Sequence, residues 1–215
     1  MKPELKHQDE QTPATEDYGR STEAGTVRLE RKLPGPIERV WDYLTDSEKR
    51  GKWFASGPME QRAGGKLEFH FHNSQLTPHA EPAPERYKKY EGITSSGKVI
   101  RCDPPNLLSF TWEEMSGGES EVTFELSEKN NEVLMVVTHR RLRNREELVG
   151  VSAGWHVHVG LLSDILNGRE FRGPFWSTYE RLEAEYDKRL PAERAAVLSS
   201  RGRADDASDE ATRRR

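Results

Sequence analysis

The residues best suited to chemistry lie in the second half of the chain, where His158 follows Trp155 by three positions. Residues three apart share a face of a helix. An imidazole in a mostly apolar setting can act as a general acid or base, or bind a ligand, because burial and a partner tune its proton affinity. The alternative is a core histidine hydrogen-bonded to a strand backbone group. His156 projects about 200° away from His158, so the two do not form the i, i+4 pair of a zinc site.

A second set of potential metal ligands lies in the first half of the chain. Glu68, His70 and His72 alternate with apolar residues, so they share one face of a strand, and His79 lies in the following loop. Together they could supply two or three ligands to zinc or copper. The aromatic residues between them occupy the opposite face, which is the better candidate for the interior. We therefore expect these histidines on a solvated face and predict no metal.

Three further features have chemical potential but favour surface or inert roles. Glu113 and Glu114 are adjacent on a strand, so their carboxylates face opposite sides. Cys102 has no base nearby in sequence and is expected to be an unreactive thiol. Arginines 140, 141, 143 and 145 could attract an anion near a helix start, but strand alternation separates the first two. No phosphate-cradling glycine loop, nucleophile elbow or cysteine-based zinc motif occurs in the sequence, so we predict no cofactor.

The composition excludes several classes of function. The chain has 215 residues, which is room for one ordinary globular domain. Its formal net charge of −4 provides no basic field for nucleic acid, and no apolar run approaches the roughly 20 residues that span a bilayer. The single cysteine rules out an internal disulfide. We therefore expect a cytoplasmic protein with no nucleic-acid partner and no membrane insertion.

The two ends of the chain differ from its middle. Residues 1–25 hold three basic and six acidic side chains with almost no large apolar residue. Residues 191–215 are rich in Glu, Arg, Ala, Ser and Asp. Such segments bury too little apolar surface to offset the entropy of ordering them. We predict a disordered acidic head at 1–25, one folded domain at 26–190 and a disordered charged tail at 191–215.

Alternating polar and apolar residues predict a sheet within the folded domain. Segments 27–33 and 67–72 show this period of two, and further strands are predicted at 97–101, 107–112, 121–126 and 133–138. Short links rich in Asp, Asn, Gly and Pro separate the last four segments. Consecutive strands joined by such links form an antiparallel meander. The segment Asn73 to Lys89 contains three prolines and no periodicity, so it is predicted to be either a lid or a plain mobile loop.

Helices are predicted on both sides of this meander. Apolar residues at i, i+3, i+4 and i+7 from Ile37 indicate a short helix after the first strand. Thr45 and Glu48 have capping-box spacing, which predicts a second short helix. A long helix is predicted at 145–167, with Asn144 as its N-cap, and a final helix starts after residue 174.

Several strings in this order resemble a known family. They are Pro36 to Trp41, Trp53-Phe54, Gly64-Gly65, Gly97-Lys98-Val99 with Asp103-Pro104-Pro105, Leu108 to Trp112, Val122 to Leu126, Thr138-His139 and Gly154-Trp155. Their order and spacing resemble the START-like (SRPBCC) superfamily, in the branch named for the activator of heat-shock protein 90 ATPase. The resemblance covers roughly residues 26 to 190.

The resemblance implies an α+β helix-grip fold of the START-like type. In that fold, a curved antiparallel sheet wraps around a long C-terminal helix, two short helices follow the first strand, and a deep cavity separates helix and sheet. Members typically bind hydrophobic small molecules there, and a minority catalyse cyclisation or hydrolysis. We therefore expect an unfilled gap between the helix and the sheet. The candidate ligand-binding residues are Trp53, Phe54, Phe69, Phe71, Trp112, Trp155, His158 and Leu162.

Three functions remain open at this point. The leading hypothesis is non-enzymatic binding of a hydrophobic or amphipathic small molecule in the cavity. The second is regulation of a chaperone of the heat-shock protein 90 type, as the name of the family branch implies. The third is a cyclase or hydrolase in which His158 acts as acid or base and Trp155 stacks on the substrate.

Overall fold

A computed structural model describes residues 18–114, 118–171 and 173–190. The predicted tail and residues 1–17 of the predicted head lie outside these described residues. The strands are β1 (Arg20–Glu23), β2 (Thr26–Pro34), β3 (Lys66–His70), β4 (Thr94–Asp103), β5 (Leu107–Glu114), β6 (Gly118–Lys129) and β7 (Glu132–Arg140). The α-helices are α1 (Ile37–Thr45), α2 (Ser47–Arg50), α3 (Arg145–Asn167) and α4 (Phe175–Arg189).

The seven strands form one antiparallel sheet in the order β1-β2-β7-β6-β5-β4-β3. The predicted meander is confirmed from β4 to β7, and β2 closes back onto β7. Strand β1 lies before the predicted domain boundary at residue 26 and pairs with β2. The two short helices therefore follow the second strand of the fold rather than the first. The polar composition of this segment gave no signal for β1, because an edge strand with one partner needs little apolar surface.

Both helix pairs form where the sequence predicts them, with one change of cap. The Asn144 side chain accepts a hydrogen bond from the Glu147 backbone N–H (2.8 Å) at the start of α3, and Gly168 ends α3 in the left-handed conformation. At α2, the N-cap is Asp46, which accepts from the Lys49 N–H (2.8 Å). Thr45 instead donates its hydroxyl to the Trp41 carbonyl and completes α1.

The core lies between one face of the sheet and helix α3. Helix α3 packs against β2 on one side and against α4 on another, and most of its side chains are buried. Along β2, inward residues such as Leu29 alternate with charged residues, whereas in β7 the residues on both sides of Val137 are buried as well. No helix within the described ranges is long and apolar enough to cross a membrane.

The segment between β3 and β4, residues 71–93, contains two 3-10 turns, Asn73–Gln75 and Glu85–Tyr90. We call it the strap. It is fixed at its base, because Phe71 and Ile93 are joined by a backbone hydrogen bond and Gly92 donates back to the Phe71 carbonyl. Its middle part lies against α4 rather than across the sheet.

Candidate functional site

The eight predicted ligand-binding residues come together between α3 and the sheet. Trp53 and Phe54 come from the loop after α2, while Phe69 and Trp112 come from strands β3 and β5. Phe71 lies at the base of the strap, and Trp155, His158 and Leu162 are on α3. Seven are buried and Trp112 is partly buried; His158 is a buried polar residue, and the other seven belong to the hydrophobic core or pack against it.

Phe54 is the centre of this cluster. Its ring is 3% exposed and stacks on Trp155 at 5.1 Å between centroids. It makes edge contacts with Trp112 at 5.7 Å and with His158 at 5.1 Å. Phe69 and Phe71 each lie 5.2 Å away, and Trp53 lies 5.4 Å away. Six rings therefore surround Phe54, which gives favourable aromatic packing on every side.

At Phe54, where a gap between helix and sheet was expected, the described rings are in contact with Trp155 of α3, and a cavity elsewhere along the helix stays a prediction. A narrow space bounded by Trp53, Phe54, Phe110 and Phe124, to which α3 contributes no lining residue, leaves no room for a water molecule. The reason is that Phe54 and the large aromatic residues of the strands meet the face of α3 ring to ring. Around Phe54 the interior is therefore packed ring against ring.

The loop that carries Trp53 and Phe54, residues 51–57, is held by a buried arginine. Arg50 is 2% exposed, and its guanidinium donates to the carbonyls of Ala55 (3.0 Å), Thr45 (3.1 Å) and Gly57 (2.5 Å). Burial lowers the pKa of Arg50 to about 10, so it stays charged at neutral pH. The planar fork of arginine suits several carbonyls at once. No sequence signal marked Arg50, because a single arginine at a helix end normally lies in solvent.

The same loop is also tied to β3. Isolated bridges join Ser56 to His70 and Met59 to Leu67 along the sheet edge. Gly57 makes this approach possible, because its φ is +122° and a Cβ there would lie 2.4 Å from the Glu68 carbonyl oxygen. The backbone of the Phe54 loop is therefore held both by Arg50 and by the edge of β3.

His158 is a buried histidine that is hydrogen-bonded to a backbone group. This agrees with the second of the two alternatives given for it, a core histidine, except for the location of the partner. The partner is the Trp53 carbonyl, 2.8 Å from Nδ1, so the group belongs to the Phe54 loop and not to a strand. Burial lowers the pKa of His158 to about 4, which makes the ring neutral at physiological pH. Because a carbonyl only accepts, Nδ1 carries the proton and Nε2 holds the lone pair. Among the described residues, no carboxylate or hydroxyl is hydrogen-bonded to this ring.

A second buried histidine was not singled out from the sequence. The Trp155 indole N–H donates to Nδ1 of His139 (3.1 Å), and Ser120 Oγ lies 2.7 Å from Nε2. Because Nδ1 accepts, Nε2 carries the proton and donates to the serine. Burial lowers the pKa of His139 to about 3. The neutral ring in this tautomer cannot take a proton from Ser120, so the pair lacks the geometry of a nucleophile and its base.

His156 faces the other side of α3, as predicted, and is buried there. Its Nδ1 lies 3.1 Å from the Tyr186 hydroxyl, which accepts from the Gly19 backbone N–H (2.7 Å). Burial, together with three nearby arginines, lowers the pKa of His156 to about 3. This chain of hydrogen bonds joins the residues before β1 to α3 and α4. No group of three or more His, Cys, Asp or Glu within the described ranges could hold a metal.

The remaining candidates lie at the surface, where the sequence placed them. His70 is 3.2 Å from Glu68 on the outer face of β3, and His79 contacts the Phe171 carbonyl at 3.0 Å. Arg141 pairs with Glu121, and Arg145 at the start of α3 pairs with Asp187 on α4. The side chains of the run from 140 to 145 are thus used in ion pairs within the fold. For Cys102, burial raises the pKa of the thiol, as expected of an unreactive cysteine.

The strap is bonded to α4 by several side chains. Glu81 accepts from the Ser177 backbone N–H (2.8 Å) in the first turn of α4, and Trp176 donates its indole N–H to Ser74 (2.9 Å). Tyr87 stacks on Trp176 at 5.2 Å and donates its hydroxyl to Glu183 (2.6 Å). The strap therefore covers the first half of α4, whose first residue contacts His158. Its role as a lid stays a prediction.

Over residues 34–167, more than half of its length, the sequence matches the family described as Activator of Hsp90 ATPase homolog 1-like protein. The chain belongs to this family. A protein of Bordetella parapertussis with a solution NMR structure is 41% identical, over 82% of this chain and 92% of that chain, with a TM-score of 0.68. The Activator of Hsp90 ATPase homolog 1-like fold is the α+β helix-grip fold that the sequence predicted.

More distant structures share the fold of this Activator of Hsp90 ATPase homolog 1-like chain. CalU16 of Micromonospora echinospora is 21% identical, over 76% of this chain and 84% of its own, with a TM-score of 0.57. A conserved protein of unknown function from Enterococcus faecalis is 18% identical, over 80% and 89% of the two chains, with a TM-score of 0.56. At these identities the likeness concerns the fold alone. A search of curated proteins found no match.

Proposed function

We propose that this protein binds a planar apolar small molecule between α3 and the sheet, in the place that the ring of Phe54 occupies in the closed state. The proposal rests on which element contributes the ring at the centre of the cluster. Phe54 comes from a loop, whereas most of the rings around it come from the sheet and α3. Rotation of one side chain would leave a space lined by aromatic residues that belong to other elements.

A ligand in this place would recover the contacts that Phe54 gives up. Trp155 offers a flat surface on which Phe54 now stacks at an interplanar angle of 25°, and Trp112 offers an edge at 72°. A planar aromatic molecule can occupy the same geometry, since offset stacking and edge contacts have similar energies for any such ring. Apolar sites lined by aromatic side chains are typical of small-molecule pockets.

The test compares the affinity of p-xylene for the wild-type protein and for Phe54→Ala by titration of ¹H–¹⁵N NMR spectra. Apolar cavities left by large-to-small substitutions stay dry and bind small aromatics. We expect wild-type binding that shifts the indole signals of Trp112 and Trp155, and binding to Phe54→Ala that is at least tenfold tighter. Phe54→Leu serves as a milder variant if the alanine variant does not fold, because Phe→Ala in a core costs roughly 3–5 kcal/mol.

Phe110→Ala is the matched control. Phe110 is equally buried and lies on β5, and its ring contacts are with Phe69 and Phe124 rather than with Trp155 or His158. We expect no gain in affinity there that involves the Trp155 signal. Binding to Phe54→Ala with no binding to the wild type, up to the solubility of p-xylene, would mean that the site exists only when it is engineered, and the proposal would be wrong.

A second candidate function is binding to a chaperone through the surface of the protein. Such binding would not require the packed interior to open. The specific feature is a groove of about 420 Å³ on the outer face of the sheet, lined by charges of both signs that include Arg28, Arg101, Asp103 and Glu125. This function predicts a complex with a chaperone of the heat-shock protein 90 type and a changed ATPase rate. Arg28→Glu combined with Arg101→Glu should weaken both, whereas Lys66→Glu on β3 should not. No complex and no rate change with the wild type would eliminate it.

A further inference from the structure

Trp155, the ring on which Phe54 stacks, is held at its edge by a hydrogen bond to the sheet. Its indole N–H donates to Nδ1 of His139 on β7 at 3.1 Å, and both side chains are buried. An indole N–H only donates, so the direction of this bond is fixed and His139 must present a lone pair to it. The bond therefore joins α3 to the sheet at a wall of the proposed ligand site.

The hydrogen bonding continues from His139 across two more strands. Nε2–H of His139 donates to Ser120 Oγ on β6 at 2.7 Å, and the Ser120 hydroxyl donates to the backbone carbonyl of Trp112 on β5 at 3.4 Å. Each group accepts from one neighbour and donates to the next, so the chain runs in one direction from Trp155 to Trp112. Buried polar networks whose members are satisfied in this way make the side chains rigid.

The imidazole of His139 also supports the ring of Trp112. The two rings stack at 5.6 Å between centroids and an interplanar angle of 21°. Trp112 and Trp155 stand almost at right angles to each other, at 5.9 Å and 86°, and form a corner. Phe54 lies in this corner, stacked on Trp155 and in edge contact with Trp112. His139 therefore contacts both walls of the corner that holds Phe54.

We propose that His139 is a positioning residue for the ligand that takes the place of Phe54, because it fixes the two tryptophan rings that the ligand would contact. This inference rests on the proposed function and assigns a role to a residue that acts through Trp155 and Trp112. A buried indole N–H that lost its acceptor would be costly, so the ring would turn towards another acceptor. The flat wall would then no longer be ordered in advance for a planar molecule.

The test compares two substitutions that each keep one hydrogen bond of His139. In His139→Asn, the side-chain oxygen reaches the position of Nδ1 and can still accept from Trp155. In His139→Gln, the amide nitrogen reaches the position of Nε2 and can still donate to Ser120, but the indole N–H loses its acceptor. Both variants lose the ring that stacks on Trp112, so this loss cancels between them. The affinity of p-xylene is measured by NMR titration, and the free energy of unfolding by urea denaturation.

We expect p-xylene to bind His139→Asn about tenfold more tightly than His139→Gln, since one hydrogen bond contributes about that factor. The Trp155 indole N–H should exchange with solvent slowly in the wild type and in His139→Asn, and faster in His139→Gln. His156→Asn is the matched control, because it replaces a buried imidazole on the other side of α3. Its affinity for p-xylene should stay within about twofold of the wild type, which corresponds to no lost hydrogen bond.

A measurement on the ¹⁵N-labelled wild type decides the question if the variants do not fold. The N–H···N bond should give a scalar coupling between Trp155 Nε1 and His139 Nδ1, both in the free protein and in the p-xylene complex. If this coupling is lost in the complex, or if His139→Asn and His139→Gln bind p-xylene equally, the inference is wrong and the proposed function stands. If the wild type does not bind p-xylene, the proposed function is wrong and the inference goes with it.

Discussion

Acidification from pH 8 to pH 5 should destabilise this protein strongly, because three imidazoles are buried in neutral form. Burial lowers the pKa of His139 and His156 to about 3 and that of His158 to about 4, whereas a histidine in an unfolded chain titrates near 6.5. Below pH 6.5 the unfolded state therefore binds protons that the folded state cannot. The stability that these neutral imidazoles contribute is fully present above pH 6.5. It is lost as the pH falls towards their pKa values in the folded state.

The size of this effect follows from the two pKa values of each group. At pH 5 each imidazole contributes a loss of about 2 kcal/mol relative to pH 8, so the three together give about 6 kcal/mol. Near pH 5.5 the slope approaches 4 kcal/mol per pH unit, which corresponds to three protons. A typical domain is stable by about 5–15 kcal/mol, so acidification alone could bring the protein close to unfolding. Most carboxylates titrate below this range and contribute little to it.

The assay is urea denaturation at several pH values between 5 and 8, followed by tryptophan fluorescence and circular dichroism. His156→Asn is the informative variant, because its amide oxygen can still accept from Tyr186 while the titrating group is gone. Its loss between pH 8 and pH 5 should be about 4 kcal/mol. His72→Gln is the control, since that side chain lies at the surface. A free energy of unfolding that changes by less than about 1 kcal/mol over this range would refute the reasoning.

Two further predictions concern the groups that hold the loop and the strap. Arg50→Lys should lower the free energy of unfolding by about 3 kcal/mol in urea denaturation, because a lysine cannot bond all the carbonyls that Arg50 reaches. The control is Arg62→Lys at an exposed position, which should change the free energy of unfolding by less than about 0.5 kcal/mol. Equal effects of the two substitutions would contradict the prediction. Glu81→Ala should cost about 1 kcal/mol and speed hydrogen exchange in the first turn of α4, because the carboxylate caps that helix. Glu85→Ala on the strap surface should change neither the stability nor the hydrogen exchange of α4. Unchanged hydrogen exchange in Glu81→Ala would show that contacts other than that of Glu81 join the strap to α4.

Local rules of the sequence predicted the elements well where one residue type decides the geometry. Asn144 and Gly168 bound α3 as expected, because a side-chain cap and a left-handed residue act within a few positions of the chain. The cap of α2 was misplaced by one residue. Asp46 and Thr45 are both good caps, and the competition was decided by the Trp41 carbonyl, which binds the threonine hydroxyl.

The interior was harder to predict, because volume is a property of the assembled fold. The family resemblance placed Phe54 and Trp155 near one cavity, and the two rings do pack together. Whether a gap remains between them depends on ring orientations and on the reach of a loop, neither of which has a periodic signal. Arg50 shows the same limit, since its role depends on carbonyls that only the folded loop brings to one point.

A closed interior and a binding function are compatible only if the opening is cheap enough. Exposing a phenylalanine side chain costs about 1.5–3 kcal/mol, so the open state of Phe54 would be populated at roughly one part in ten to one part in two hundred. The apparent affinity of the wild type is reduced by that fraction. The gain in affinity on Phe54→Ala therefore measures the cost of opening. A gain far beyond about two-hundredfold would mean that the loop held by Arg50 resists as well, and Arg50→Lys should then tighten binding while it weakens the fold.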